Sequence, residues 1–189
     1  DLETESIKIS DIKIIRPIQK CDALITEYDF GLSIFPADCQ CAAIIDYKKG
    51  IKALVHSGWR GCLKKIIPKT ILEFLLRGSK IDDIKVILGP MLLKEHFEIK
   101  NDYIDDFRNY MKSLEAEKNI INYNIERDSY NIDILSIIIQ QLKNIGIEEE
   151  NIDISLVEDT YSAVDKAGNL KYHSYRRDKN EFRNFCVFI

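Results

Sequence analysis

The chain has 189 residues, of which 46% are hydrophobic, with a formal net charge of −4 and no run of eighteen apolar residues. That is enough apolar material for one sizeable core. The acidic balance disfavours a nucleic-acid partner held through phosphates, and the absence of a long apolar run disfavours a membrane span. A single domain over residues 1–189 is the default expectation.

The N-terminal DLETESIKIS lacks the basic-then-apolar layout of a signal peptide, and it does not begin with Met, as a fragment or a processed form would not. Residues 7–16 alternate as a strand does. GLSIFPAD (31–38), CAAIIDY (41–47) and IKALVHS (51–57) read as short strands, the last two joined by a KKG turn into a hairpin. Residues 58–78 carry apolar positions at helical spacing; Pro68 either kinks that helix or ends a first turn, and Gly78 is placed to cap it. IKVILGP (84–90) reads as a buried strand, 101–117 as a helix and 131–145 as the strongest helix, stopped by Gly146. Residues 152–158 and 181–189 read as strands around a polar stretch. Interleaved strands and helices with a hairpin give α+β, or mixed α/β.

Five cysteines, an odd number without the spacing of a disulfide framework, read as thiols in a reducing cytoplasm. Cys39 follows one strand and His56 ends the next but one, so both can reach one edge of a sheet. A thiol and an imidazole there have three uses: a nucleophile pair, a zinc site with an open position, or a half-buried thiol beside a hydrogen-bonded histidine. HSGWRG puts two glycines where a strand becomes a helix, beside Arg60, a permanent cation suited to phosphate or carboxylate. Trp59 packs or stacks there. A second stretch, 171–183, mixes His173, Tyr175, Arg176 and Arg177, either as a solvated basic loop or as a wall for an anionic or ring-bearing ligand. In a third, Glu95, His96 and Glu98 can coordinate or relay protons, or simply sit in a solvated loop.

"DALIT" (22–26), "ADC" (37–39), "HSGWRG" (56–61), "LGP" with "HFEI" (88–99) and "HSYRRD" (173–178) occur in an order and spacing that resembles the laccase-domain family, also called multicopper polyphenol oxidoreductase-like or YfiH-like. The resemblance implies the YfiH-like fold, mixed sheets flanked by helices and related to that of deamidating toxins. It also implies a cytoplasmic, zinc-dependent enzyme acting on purine nucleosides: phosphorolysis of adenosine, inosine, guanosine and methylthioadenosine, and deamination of adenosine. Its metal ligands would be Cys39, His56 and, where the family has a third histidine, Glu5. Asp38, from the same A-D-C motif, is counted with the catalytic residues, and Arg60 with Arg176 or Arg177 would hold phosphate charge. His173 or Glu98 would protonate the leaving base, with Tyr175 lining the substrate. Purine nucleoside and phosphate are then the partners, with no nucleic acid or membrane. The chain departs from the family pattern at Glu5, at Asp159-Thr160 in place of a C-T pair, at Met91, and at Phe182 before Arg183. Three histidines are too few for a multi-histidine copper cluster, so a copper polyphenol oxidase ranks last. Ahead of it stand a Cys/His hydrolase or amidase built on Cys39, and a degenerate member that binds nucleoside or protein without turnover.

Overall fold

A computed structural model describes residues 20–112 and 120–189. The strand read over 7–16, and Glu5, lie outside the described residues.

The core is a sheet with strand order β1-β4-β3-β5-β9. Its strands are β1 (Ala23–Thr26), β3 (Gln40–Asp46), β4 (Ile51–Ser57), β5 (Ile84–Leu88) and β9 (Ile152–Asp153). The β3–β4 hairpin forms as expected, in the register Cys41↔His56 and Asp46↔Ile51. The buried Asp46 side chain closes its turn by accepting from the backbone N–H groups of Lys48 and Lys49. Among the described pairings of this sheet only β5–β9 is parallel, which makes the sheet mixed.

Strand alternation gives this sheet two different faces. Ala42, Ile44, Ala53, Val55, Val86 and Leu88 point into the main core, together with buried residues of the helices α1 (Trp59–Leu63), α2 (Ile66–Leu76) and α4 (Ile134–Asn144). Phe74, Ile71 and Ile137 are fully buried there. On the other face Cys41 and Leu54 pack with Leu32, Ile34, Cys186 and Phe188. The latter four belong to a two-stranded sheet of β2 (Leu32–Ile34) and β10 (Cys186–Phe188). The layers are therefore helices, a five-stranded sheet and a small second sheet, with His56 and Cys41 on the small-sheet side. A three-stranded sheet, β6 (Glu98–Ile99), β8 (Ser129–Ile132) and β7 (Ile121–Asn124), sits with α3 (Asn101–Lys112).

The α+β class agrees with the sequence reading; several boundaries do not. The helix read over 58–78 is two helices, with Lys65 at φ 58° between them and Pro68 in the first turn of α2, where its missing N–H costs nothing. Gly78 and Gly146 end α2 and α4 at φ 85° and 89°. The helix read from 131 starts at Ile134, because Asn131 and Ile132 pair in β8 and Asp133 caps the helix by accepting from the Ser136 N–H. The strand read over 152–158 stops at Asp153, whose carboxylate accepts from the Ser155 N–H and turns the chain. The strands read over 31–38 and 181–189 shorten to β2 and β10. The polar stretch between β9 and β10 holds one short helix, α5 (Tyr175–Asp178). The reading of five thiols also changes: Cys41 and Cys186 are joined as a disulfide, leaving Cys21, Cys39 and Cys62 free. Their separation of 145 residues hides the pair in the sequence.

Candidate functional site

Cys39 immediately precedes β3 and His56 is the penultimate residue of β4. Because Cys41 is directly opposite His56, the hairpin brings Cys39 and His56 to the same end and the same face of the sheet. They converge over Gly58: a Cβ there would lie 3.2 Å from the Cys39 Sγ and 3.9 Å from the His56 Nε2. A side chain at Gly58 would intrude between them, which explains the glycine.

The His56 ring is oriented by Asp22, whose Oδ1 lies 3.0 Å from Nδ1. An Nδ1–H donated to that carboxylate leaves the Nε2 lone pair facing the Cys39 side. The Cys39 thiol is pushed up to about 11, first by burial and then by the Asp38 and Asp22 carboxylates, while Arg183 pulls it down. A thiol so protonated is a poor resting nucleophile. Bound metal would remove that proton, since ligation is by thiolate.

Asp38, read as catalytic, works as a fastener. One oxygen accepts from the Thr160 hydroxyl at 2.8 Å and the other from the Arg176 N–H at 2.7 Å. Its carbonyl accepts from Leu92 N–H. The wall read as Arg176, Arg177, His173 and Tyr175 does meet the Cys39 loop, but its members divide. Arg177 is consumed internally: it donates to the carbonyls of Thr160, Tyr161 and Tyr172 and forks onto Asp178. Those contacts engage the Arg177 donors within the wall. Arg176 holds the Glu98 carbonyl at 2.8 Å. The Glu98 carboxylate pairs with Arg127 at 3.1 Å. His173 is held by Asp178 at Nδ1, 3.0 Å, and its buried Nε2 has no hydrogen-bond partner among the described residues. Tyr175 is exposed at the start of α5. Arg60 is exposed and stacks over Trp59 at 4.1 Å and Tyr103 at 5.5 Å, so Trp59 both packs and supports a cation.

Sequence reasoning missed Asp22, although it heads the quoted "DALIT". It also missed Asn184, which donates to the carbonyls of Ala37 and His173 and accepts from the His173 N–H. The changed Asp159-Thr160 pair is a second fastener. Asp159 accepts from Leu93 N–H and Ser162 hydroxyl and lies 2.6 Å from His96 Nδ1, with His96 stacked on Tyr161. Two surface depressions, of about 480 and 400 Å³, are lined by neither Cys39 nor His56.

Soft thiolate and an aspartate-oriented imidazole suit zinc. They are a pair, and among the described residues no group of three His, Cys, Asp or Glu side chains stands together. His96 and His173 are held by Asp159 and Asp178.

A Cys/His site at one end of a mixed sheet, closed by a loop wall, defines a YfiH-like α+β protein. The chain belongs to the family described as multi-copper polyphenol oxidoreductase laccase, which it matches over residues 3–189. The crystal structures of the Bacillus licheniformis hypothetical protein YfiH and of YlmD from Geobacillus stearothermophilus share the fold. Their TM-scores are both 0.71, with 21% and 22% identity over 88% of this chain and 59% and 58% of theirs. A purine nucleoside phosphorylase of Rickettsia conorii is 23% identical over 168 residues, 89% of this chain and 65% of the relative. An adenosine deaminase from an unknown prokaryotic organism is 28% identical over 92 residues, 48% of this chain and 35% of the relative. The chain thus spans less than two thirds of the length of these relatives. No described helix is long and apolar enough to cross a membrane.

Proposed function

We propose that this chain carries the site of a zinc-dependent, cytoplasmic purine nucleoside phosphorylase, with adenosine deamination as a second activity. The observation that carries the reading is the convergence of the Cys39 Sγ and the Asp22-oriented His56 Nε2 over Gly58. The names of the relatives supply the substrate class.

Cys39 and His56 would hold the metal, with Glu5 the candidate third ligand. Zinc supplies Lewis acidity there. Asp22 fixes the His56 ring, and Gly58 keeps the space open. In phosphorolysis an oxygen of phosphate bonds to the ribose anomeric carbon as the bond from that carbon to the purine nitrogen breaks. The electron pair leaves with the purine, which takes up a proton. Arg60 and Arg176, whose guanidinium groups meet no carboxylate among the described residues, are available to the phosphate charge. Of the two candidate proton donors, Glu98 is engaged by Arg127, whereas the His173 Nε2 has no partner among the described residues. The Cys39 hydrolase reading is weaker, because a thiol near 11 is scarcely ionised at neutral pH.

The test is zinc content together with phosphate-dependent release of base from inosine and adenosine. Near-stoichiometric zinc and turnover, both lost in Cys39→Ser and His56→Ala, are expected. Base release that persists in metal-free protein and in Cys39→Ser would overturn the reading. Absence of both zinc and turnover in the wild type, regained in Glu5→His, would leave the binding-only alternative.

A further inference from the structure

The five cysteines divide by position. Cys62 is buried on the helix side of the large sheet, and Cys21 is exposed just ahead of β1. The other three gather at the Cys39–His56 end of the opposite face. Cys41 lies directly across from His56 and two residues after Cys39, so strand alternation puts it on the face those two share. Cys186 reaches Cys41 from β10 and is bonded to it.

That bond carries much of the attachment of β10. The strand is three residues long and, among the described pairings, pairs with β2 alone. The cluster under it buries Leu32, Cys41 and Leu54, a small core beside that of the helical face. A two-stranded ribbon on so small a core is marginal, whereas a cross-link between residues 145 apart restrains it strongly. Two residues before Cys186, Asn184 donates its backbone N–H to the Pro36 carbonyl and its side-chain amide to the Ala37 carbonyl, on the approach to Cys39. The bond and the Asn184 contacts therefore hold one C-terminal segment against the Cys39 loop. Cys186 is half-buried and Cys41 is only 3% exposed, so a thiol from solvent meets the pair at the Cys186 sulfur.

We propose that the Cys41–Cys186 bond is a reversible redox latch beside the Cys39–His56 site, opened by a dithiol reductant and closed again by a small disulfide. A thiolate of the reductant bonds to the Cys186 sulfur as the bond to Cys41 breaks, and the electron pair leaves with Cys41, which takes up a proton. The second thiol of the reductant then displaces Cys186, also protonated, and the reductant departs as its own disulfide. Two electrons and two protons pass to the protein. The cytoplasmic setting proposed above supplies such thiols, under which a protein disulfide is transient and serves sensing or catalysis. The chemistry itself needs neither zinc nor the phosphorylase activity.

The experiment uses metal-free protein without denaturant, treated with dithiothreitol or with its oxidised form. Thiols are counted by alkylation and mass spectrometry, with Cys21 and Cys62 as exposed and buried references. Reduction should add the thiols of Cys41 and Cys186, and the oxidised reagent should restore the bond. Opening should speed hydrogen exchange in β2 and β10 by about tenfold or more and leave β5 within about twofold. It should also raise the rate of Cys39 alkylation relative to Cys21 by about threefold to tenfold, as the covering segment loosens. Cys186→Ala should show the open pattern with or without reductant; if that variant does not fold, reduced wild type alkylated at Cys186 gives the same reading. A bond that resists dithiothreitol until the protein is denatured is a structural staple and overturns the proposal, as does one that does not re-form. Unchanged exchange in β10 together with unchanged Cys39 alkylation after opening also overturns it. Failure to find zinc or base release would sink the phosphorylase reading alone, since none of these measurements depends on either.

Discussion

Two regions of this molecule are held together by different physics. The helix-covered face of the large sheet is an apolar core, with Phe74, Ile44 and Ile137 wholly out of water. The wall over residues 158–186 has few buried apolar side chains, and Ile154, Leu156, Val164 and Phe182 near or within it are exposed. It is fastened by Arg177 across three carbonyls, by Asp38 across Thr160 and Arg176, by Asn184 across Ala37 and His173, and by the Glu158–Lys171 ion pair. The first region supports the site and the second shapes it. Burial tolerates rough shape and forgives polar detail, whereas a hydrogen-bonded wall depends on every member.

Substitutions can sharpen that contrast. The largest effect belongs to the core: Phe74→Ala should cost about 3–5 kcal/mol, read as a lower urea midpoint for the whole chain. A small shift would mean that the helical layer is not the source of stability. In the wall, Arg177→Gln strands three carbonyls and one carboxylate, and about 2 kcal/mol of global stability should go. Hydrogen exchange should accelerate over 159–178 more than in β3 or β4; uniform acceleration would break the distinction between the two regions. At the point where the regions meet, Asp22→Asn should lower zinc affinity about tenfold to a hundredfold by freeing the His56 ring, with an unchanged melting temperature. Unchanged affinity would remove Asp22 from the site. The smallest effect is expected at Asp133→Ala, which removes the α4 cap and should cost about 1 kcal/mol with zinc affinity untouched, as denaturant titration and metal competition would show.

The difference also explains what the sequence could and could not disclose. The β3–β4 hairpin, Gly78 and Gly146 were legible because alternation and left-handed glycines are local signals. So was the meeting of Cys39 with His56, which needs only that hairpin. The start of α4 was not, because Asn131 and Ile132 look helical in their own neighbourhood and become strand by pairing with β6 and β7. The wall was the least legible part. Arg177 and Arg176 are adjacent and chemically identical, yet one is locked onto carbonyls and Asp178 while the other reaches toward β6. Asp22 escaped notice because it acts on a partner far along the chain: 34 residues separate it from His56.

The small sheet pairs Leu32 with Phe188, joining positions near opposite ends of the described chain. Closing a loop of that length is entropically slow, so this pairing should come late in folding. The hairpin holding Cys39 and His56 can form long before it. During synthesis the protein should thus pass through a stage in which the large sheet has consolidated, Cys39 and His56 already face each other, and the side later closed by Asn184 is still open to solvent.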